Sequence, residues 1–260
     1  MGIFLKTEDE INLMRKANRL VGMTLGEIAK HIEPGVTTLQ LDTVAEEFIR
    51  DNGAVPAFKN FPNPFGRPYP ASICTSVNDV VVHGIPDEKT VLQDGDIISV
   101  DCGVLLDGFN GDSCYTFCVG EVKPEIKKLL EVTKESLYKG IASAVAGRHI
   151  GDIGCAVQSC CEAYGYGVVR ELTGHGIGRQ MHEEPAVPNY GKVGAGILLK
   201  EGMCIAIEPM ITLGERAICL MPDRWSIKTR DGNPAAHFEH TVVVRRGKAE
   251  ILSSFEEIEQ

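Results

Sequence analysis

The chain has 260 residues, of which 43% are hydrophobic, and its formal net charge is −10. This composition is sufficient for a sizeable core, and the acidic balance argues against a nucleic-acid surface, which needs clustered Lys and Arg. The nine cysteines contain no C-x-x-C pair, which favours free thiols over a disulfide framework. The N-terminus resembles no signal peptide and no run is long enough to span a membrane, so we expect a cytoplasmic protein without membrane contact.

Two helices are predicted at the start of the chain. Thr7 and Glu10 match a capping box that precedes apolar residues at helical spacing. A second helix is predicted over residues 37–51. The next segment, 54–70, contains several prolines and the aromatic residues Phe58, Phe61, Phe65 and Tyr69. It is either the wall of a pocket or an ordinary surface connection.

Strands and a second helix pair are predicted in the rest of the chain. In the first half, strands are predicted over residues 71–77 and 80–82 and in the apolar run that follows Gly95 and ends at Asp101. A hairpin with strands 104–109 and 112–119 turns at Asp107-Gly108. Helices follow from Pro124 to about Ala146 and from about Asp152 to Tyr164. The remaining predictions are strands 168–172 and 237–245, a strand in the apolar run that follows Gly202 and ends at Glu208, and a loop or ribbon over 216–230.

Two stretches, residues 92–101 and 199–208, repeat one pattern. Each has a leucine, an acid followed by glycine, an apolar run and a final carboxylate. An acid at the end of a buried strand costs several kcal/mol unless it is paired or bound to metal. Neighbouring H-G-I and D-G motifs are also repeated. The sequence therefore predicts one domain, residues 1–260, built from duplicated halves of about 1–120 and 121–260 with a shared cation site between them.

Five residues in or near these repeated motifs are candidate metal ligands: Asp101, Asp112, His175, Glu208 and Glu239. Four carboxylates and one imidazole are too many anions for a single zinc ion, but they suit two divalent ions such as Mn, Fe, Co or Zn. Two ions about 3.5–4 Å apart can share a hydroxide and stabilise a tetrahedral transition state. A single acid is more often solvent-exposed, but five in matching positions favour a metal centre.

Several segments resemble signature sequences of the type I methionine aminopeptidases: ELTGHGIGRQMHEEP, CIAIEPM, VDCG with NGDSCYTF, and FEHT. The resemblance covers about residues 7–250. It implies a pseudo-twofold α+β "pita-bread" fold, in which a curved antiparallel sheet is covered by two helix pairs. Only thirty residues separate Glu208 from Glu239, which leaves no room for the type II insertion. Together with the lack of an N-terminal zinc-finger extension, this indicates the minimal bacterial form.

The resemblance also implies roles for individual residues. The five candidates would ligate two divalent ions, with Asp112 and Glu239 bridging them. His83 would contact the second residue of the substrate, His182 would stabilise the oxyanion, and Glu208 would also shuttle the proton. The substrate-binding set would comprise His83, His182, Tyr69, Cys74, Met181 and Trp225. For Cys74, plain core packing is an equally good account.

The implied activity is removal of the initiator methionine from nascent proteins with a small second residue, by attack of a metal-bridging hydroxide. The implied partners are nascent N-termini and, transiently, the ribosome, with the enzyme acting as a monomer. Two alternatives stay open. An X-Pro aminopeptidase or prolidase shares the five ligands but usually has a large N-terminal domain, and a non-catalytic pita-bread binding protein would have lost ligands.

Three positions depart from the family pattern, the first being Leu172, which replaces a usual aromatic residue before the G-H-G motif. Met181 stands where an aromatic residue is expected, and His237 replaces a usual glutamine two residues before Glu239. Because alternate strand residues share a face, we expect His237 to support the ligands rather than to be one. His240 should point to the opposite face.

Overall fold

The computed structural model describes residues 2–64 and 66–259, so Phe65 of the aromatic segment lies outside the described residues. The described helices are α1 (Glu8–Ala29), α2 (Thr38–Asp51), α3 (Pro124–Ser143) and α4 (Ile150–Glu162). Capping boxes start the first two, with Thr7 and Glu10 before α1 and Thr37 and Gln40 before α2. All four lie close to their predicted positions.

The strands before α3 are β1 (Val55–Pro56), β2 (Ile73–Val77), β3 (Val80–Val82), β4 (Ile97–Leu106) and β5 (Phe109–Cys118). The first five strands after α4 are β6 (Gly167–Val168), β7 (Thr173–Gly176), β8 (Glu183–Pro188), β9 (Cys204–Ile207) and β10 (Met210–Thr212). The last are β11 (Ile218–Leu220), β12 (Ile227–Thr229), β13 (Ala235–His237), β14 (His240–Val243) and β15 (Glu250–Ile251).

Among the described residues, these strands form four sheets, and every strand pairs antiparallel with its neighbours. In the first half, β4 pairs with β5, β2 and β1; in the second half, the order is β15-β14-β9-β7-β8. Smaller sheets are formed by β13-β10-β6 and by β11-β12-β3. The last of these contains the ribbon that the sequence predicted around Trp225.

Each helix pair covers the sheet of its own half. Leu25 and Ile28 of α1 and Leu41 of α2 belong to a buried cluster with Val100 of β4. The second cluster joins α3 and α4 to β9 and β14. Aligned turn glycines also have matching backbone conformations, with φ of 92° at Gly95 and 86° at Gly202. These similarities support the proposed duplication of the two halves.

Side-chain and main-chain hydrogen bonds join the two halves between β5 and residues 237–241. The hydroxyl of Ser113 donates to the carbonyl of Glu239 over 2.7 Å, and that of Thr241 donates to the carbonyl of Asp112 over 2.8 Å. The amide of Glu239 donates to the carbonyl of Cys114 over 2.9 Å. We call this set of contacts the seam. It fixes the backbone of both Asp112 and Glu239.

Three predicted elements differ in the structure. The strand predicted over 168–172 is limited to Gly167–Val168, and the strand predicted over 237–245 is interrupted between β13 and β14. The hairpin at Asp107-Gly108 is longer than predicted, because β4 continues without a break from the first carboxylate strand. The interruption after His237 includes Glu239, whose amide bonds to β5 instead of continuing the strand pairing.

No helix in the described part of the chain has both the length and the apolar character needed to cross a bilayer. All nine cysteines are free. The second observation agrees with the absence of a disulfide framework predicted from their spacing.

Candidate active site

The five predicted ligands come from both halves of the chain and line one cavity. Asp101 is in β4 and faces Cys74 of β2 across the pair, while Asp112 is in β5. His175 is in β7, Glu208 directly follows β9, and Glu239 lies between β13 and β14. All five side chains line the same cavity. The structure therefore brings together residues up to 138 positions apart (239 minus 101).

The ligand atoms are close enough to share metal ions. One ligand atom each of Asp112, His175 and Glu239 lie within 4.8 Å of one another, an arrangement that could hold a cation. His175 Nε2 lies 3.7 Å from Asp112 Oδ2 and 3.6 Å from Glu208 Oε1. The side chain of Asp101 interacts with that of Asp112. Both halves therefore contribute to one polar centre.

Burial dominates the electrostatics of this centre. It raises the pKa of Asp101 to about 7 and that of Glu208 to about 8. Burial also raises the pKa values of Asp112 and Glu239 well above their usual range, and repulsion from the other carboxylates adds to the effect. Without a cation, folding thus opposes ionisation of all four acids. A bound divalent cation would reverse this preference.

Unpaired polar atoms test whether the residues fit metal ions. Buried oxygens of Asp101, Asp112 and Glu239 have no hydrogen-bond partner. Among the described residues, no lysine or arginine forms an ion pair with the four carboxylates. Buried acids without counter-ions are costly, whereas oxygen-rich sets with a single imidazole suit Mn, Fe, Co or Zn ions. The donor set therefore fits divalent metal ions.

The backbone next to His175 selects a tautomer suited to ligation. Its Nδ1 lies 2.9 Å from the carbonyl oxygen of Gly176, an acceptor that favours a proton on Nδ1. The lone pair of Nε2 then points towards the carboxylates. Burial, reinforced by nearby His182, lowers the pKa of His175 to about 3, which keeps the ring neutral as a ligand must be.

His83 and His182 also line the cavity. His83 has a φ of 58°, an uncommon conformation for a residue other than glycine. Gly84 follows it, and a Cβ there would lie 2.1 Å from the carbonyl oxygen of Thr75. Burial is the main cause that lowers the pKa of His83 to about 4, and partial removal from water lowers the pKa of the more exposed His182. Both rings are therefore neutral at pH 7 and able to donate one hydrogen bond.

The loop that carries His182 is held by a buried ion pair. Lys6 Nζ lies 2.5 Å from Glu183 Oε2, and only 6% and 7% of the two side chains are exposed. The other oxygen of Glu183 accepts from the amide of Gln180 over 3.2 Å. Asn110 of β5 donates its side-chain amide to the carbonyls of Gly178 and Arg179. The N-terminal segment and β5 together fix this loop.

Aromatic residues form the other wall of the cavity. Tyr69 and Trp225 meet edge to face at 5.1 Å, and the Trp225 ring is 6.3 Å from that of His83. The indole Nε1–H donates to the carbonyl of Arg67 over 2.9 Å. Cys74 completes the predicted part of the wall. Burial and then the neighbouring Asp101 raise the pKa of this thiol, so it is protonated and apolar in character.

Two phenylalanines of this wall were not in the predicted substrate-binding set. Phe58 and Phe61 line the cavity, and Phe61 meets the ring of His182 edge to face at 5.1 Å. The sequence feature that could have identified them is the aromatic segment 54–70, which was interpreted as either a pocket wall or a surface connection. Phe58, Phe61 and Tyr69 line the cavity, which confirms the pocket wall.

Met181 differs from expectation, because it is absent from the residues lining the cavity. Its side chain is buried in a cluster with Ile177 and Phe109. The end of the side chain also lies against Gly103, where an added Cβ would come within 2.6 Å of the Met181 methyl carbon. Phe58 and Phe61, which do line the cavity, pack against this cluster, and Phe61 supplies an aromatic contact to His182.

His240 faces away from this cavity, as the strand alternation predicted. Its Nδ1 lies 2.7 Å from the hydroxyl oxygen of Ser253, and its ring stacks on Phe255 at 3.9 Å. Burial lowers its pKa to about 3. His31 and His149 also lie outside the cavity lining.

The buried His240 should make the folded state acid-sensitive. Its folded pKa is below the value of 6.5 expected for the unfolded chain, so the unfolded state gains the proton first as pH falls. Relative to His240→Gln, the wild-type free energy of unfolding should fall by up to about 1.4 kcal/mol per pH unit below pH 6. Urea unfolding of both proteins between pH 6.5 and 4.5 measures this difference, and parallel pH profiles would contradict it.

A comparison with protein families matches residues 12–246 to Metallopeptidase family M24. The chain belongs to this family. The methionine aminopeptidase of Clostridium acetobutylicum is 48% identical over 251 residues, which cover 96% of this chain and 98% of that protein. Methionine aminopeptidase 1 of Bacillus subtilis is 46% identical, with coverages of 96% and 99%. Within M24, the chain therefore belongs to the methionine aminopeptidases, which are metal-dependent hydrolases.

Solved structures confirm the M24 pita-bread fold. The methionine aminopeptidase of Rickettsia prowazekii superposes with a TM-score of 0.93 at 43% identity, covering 97% of this chain and 100% of that chain. The Xaa-Pro dipeptidase of Bacillus anthracis gives a TM-score of 0.76 at 22% identity, and this M24 chain spans 62% of its length. At that identity, the second likeness shows a common fold alone.

Proposed function

We propose that this M24 enzyme removes the N-terminal methionine from peptides and nascent proteins whose second residue is small. The observation that carries the proposal is one cavity whose lining combines four acids and His175 with several aromatic residues. A cavity of this kind can hold a hydrolytic centre next to a site for an apolar side chain. Similarity to methionine aminopeptidases over nearly the whole chain supports methionine as that side chain.

The proposed metal ligands are those predicted from the sequence: Asp101, Asp112, His175, Glu208 and Glu239. Two divalent ions, of the Co, Mn, Fe or Zn kind, fit the number of carboxylates. Asp112 and Glu239 are the proposed bridging residues, which agrees with their position on either side of the seam. The ions would supply Lewis acidity and make water a stronger nucleophile at neutral pH.

Three side chains would manage protons and charge. Glu208 has an oxygen 3.6 Å from His175 and, as a ligand, would lie beside the attacking water, from which it takes a proton. His182 would donate a hydrogen bond to the carbonyl oxygen as negative charge develops there. His83 would contact the amide nitrogen of the second residue and assist its departure. The neutral state of both rings at pH 7 leaves each with one N–H donor.

The methionine side chain of the substrate would pack against the cavity wall formed by Tyr69, Cys74, Trp225, Phe58 and Phe61. A thioether makes favourable contacts with aromatic rings, and the protonated Cys74 adds a polarizable surface. The N-terminal amine would lie near the carboxylates, whose charge suits a cation. This arrangement would require a free amino terminus, which defines an exopeptidase.

The proposed substrates are new protein chains that begin with methionine, so we expect the enzyme to act in the cytoplasm as a monomer with transient access to the ribosome. No nucleic acid contact is required for this role. The net charge of −10 is consistent with recognition of peptide termini rather than of RNA.

Peptide hydrolysis separates this proposal from its alternatives. The protein, stripped of metal and reconstituted in turn with Mn²⁺, Co²⁺, Fe²⁺ and Zn²⁺, should release methionine from Met-Gly-Met and leave an X-Pro peptide intact. Preferred cleavage of the X-Pro peptide would indicate prolidase-type specificity. Metal binding without turnover of either peptide would indicate a binding protein. Acetyl-Met-Gly-Met is the matched control, because blocking its amine should prevent cleavage.

A further inference from the structure

His237 is a buried imidazole beside the proposed metal centre. Its side chain is 2% exposed, and its Nε2 lies 3.6 Å from Glu208 Oε2. The separation is slightly too long for a hydrogen bond, and Nε2 has no other partner. Buried polar atoms are rarely left without a partner in proteins. The absence of one here therefore calls for a functional explanation.

The two oxygens of Glu208 face different imidazoles. Oε1 lies 3.6 Å from His175 Nε2, and Oε2 lies 3.6 Å from His237 Nε2. His175 shares a possible cation position with Asp112 and Glu239, and His237 is not part of that group. His237 is also absent from the cavity lining. It therefore lies behind Glu208 with respect to the substrate space.

The backbone of His237 is fixed on β5. Its amide donates to the hydroxyl oxygen of Thr116 over 3.0 Å, and the same hydroxyl donates to its carbonyl over 2.7 Å. In addition, His237 is the register partner of Met210, two residues after Glu208. A backbone held in this way keeps the Cα of His237 close to the segment that carries Glu208.

We propose that His237 is a positioning residue for Glu208: its Nε2–H holds Oε2, so that Oε1 stays on the His175 side where metal would bind. This inference rests on the proposed metal centre. The 3.6 Å distance between His237 Nε2 and Glu208 Oε2 would shorten to that of a hydrogen bond when the ligands bind the ions. Hydrogen bonds in functional sites are often longer before the ligand is bound. Groups that orient metal ligands in this way tune affinity without binding metal themselves.

Metal titration tests the proposal. Calorimetric binding of Mn²⁺ to His237→Leu should be about 10–100-fold weaker than to the wild type. His237→Gln, whose amide also donates, should retain most of the affinity. His240→Gln is the matched control, since it alters a buried histidine only three residues further along the chain that faces away from the site. Equal affinity of His237→Leu and wild type would overturn the proposal, and His237→Ala replaces the leucine variant if that variant does not fold.

Electron spin-echo spectroscopy of the Mn²⁺-loaded wild type provides a second readout. A single imidazole nitrogen, from His175, is expected to couple to the metal. A second directly coordinated imidazole would mean that His237 is a ligand, which overturns the positioning role. The wild-type titration separates this inference from the proposed function: failure to bind Mn²⁺ would overturn both, whereas binding and turnover with an unaffected His237→Leu would overturn the positioning role alone.

Discussion

Replacing Glu239 by glutamine is expected to abolish peptide hydrolysis while the fold is kept. The proposed bridging carboxylate loses its charge, and the loss of activity should exceed the roughly 100-fold typical of groups that only support a ligand. The main-chain bonds of Glu239 to Ser113 and Cys114 do not depend on its side chain. Turnover of Met-Gly-Met by the Mn²⁺-loaded variant measures the effect, with Glu256→Gln at an exposed position as control.

Although Glu239→Gln should lose activity, it should not lose stability when metal is absent. Burial and the other acids raise the pKa of Glu239 in the folded protein above the value of 4.5 expected for the unfolded chain. The contribution of Glu239 to the free energy of unfolding therefore decreases as the pH rises above 4.5. Metal-free Glu239→Gln should therefore be at least as stable as metal-free wild type at pH 7. Added Mn²⁺ should raise the melting temperature of the wild type more than that of the variant. Normal turnover by Glu239→Gln would refute its assignment as a ligand.

Replacing Lys6 by methionine is expected to destabilise the folded protein strongly. The substitution leaves Glu183 buried and without its counter-ion, and breaking such a pair costs about 3–5 kcal/mol. The loop of His182 would be loosened as well, so kcat should fall together with the free energy of unfolding. Chemical denaturation and steady-state kinetics measure both, with the exposed Lys248→Met as the matched control.

A double replacement identifies the source of this effect. In Lys6→Met/Glu183→Leu no charge is left unpaired, and apolar replacement of a buried pair is often nearly neutral. Its stability should therefore lie closer to the wild type than that of either single variant, which is a coupling that a double-mutant cycle detects. Additive losses would show that the two side chains act independently.

Much of the fold was predictable because its signals are local. The capping box at Thr7 located the start of the first helix, and Asp107-Gly108 located the hairpin turn. The repeated carboxylate motif was also visible in the sequence, since both copies carry the same short pattern. These features depend on residues within a few positions of one another.

Other features depend on contacts that no local pattern contains. The pairing of Lys6 with Glu183 spans 177 positions, and the break in the strand near Glu239 arises from bonding to β5. Met181 is buried among apolar neighbours from elsewhere in the chain instead of lining the cavity. In the same way, Phe58 and Phe61 could be assigned only to an aromatic segment, since their direction depends on how that segment packs.

The seam has a consequence for the choice of ion. Because hydrogen bonds from Ser113 and Thr241 tie the main chains of Asp112 and Glu239 together, the separation of the two backbones is nearly fixed. If Asp112 and Glu239 are the proposed ligands, ions of different radius would be accommodated by rotation of these carboxyl groups, each of which can present one oxygen or two. A rigid frame with adjustable ends would allow the same protein to work with whichever divalent ion its surroundings supply.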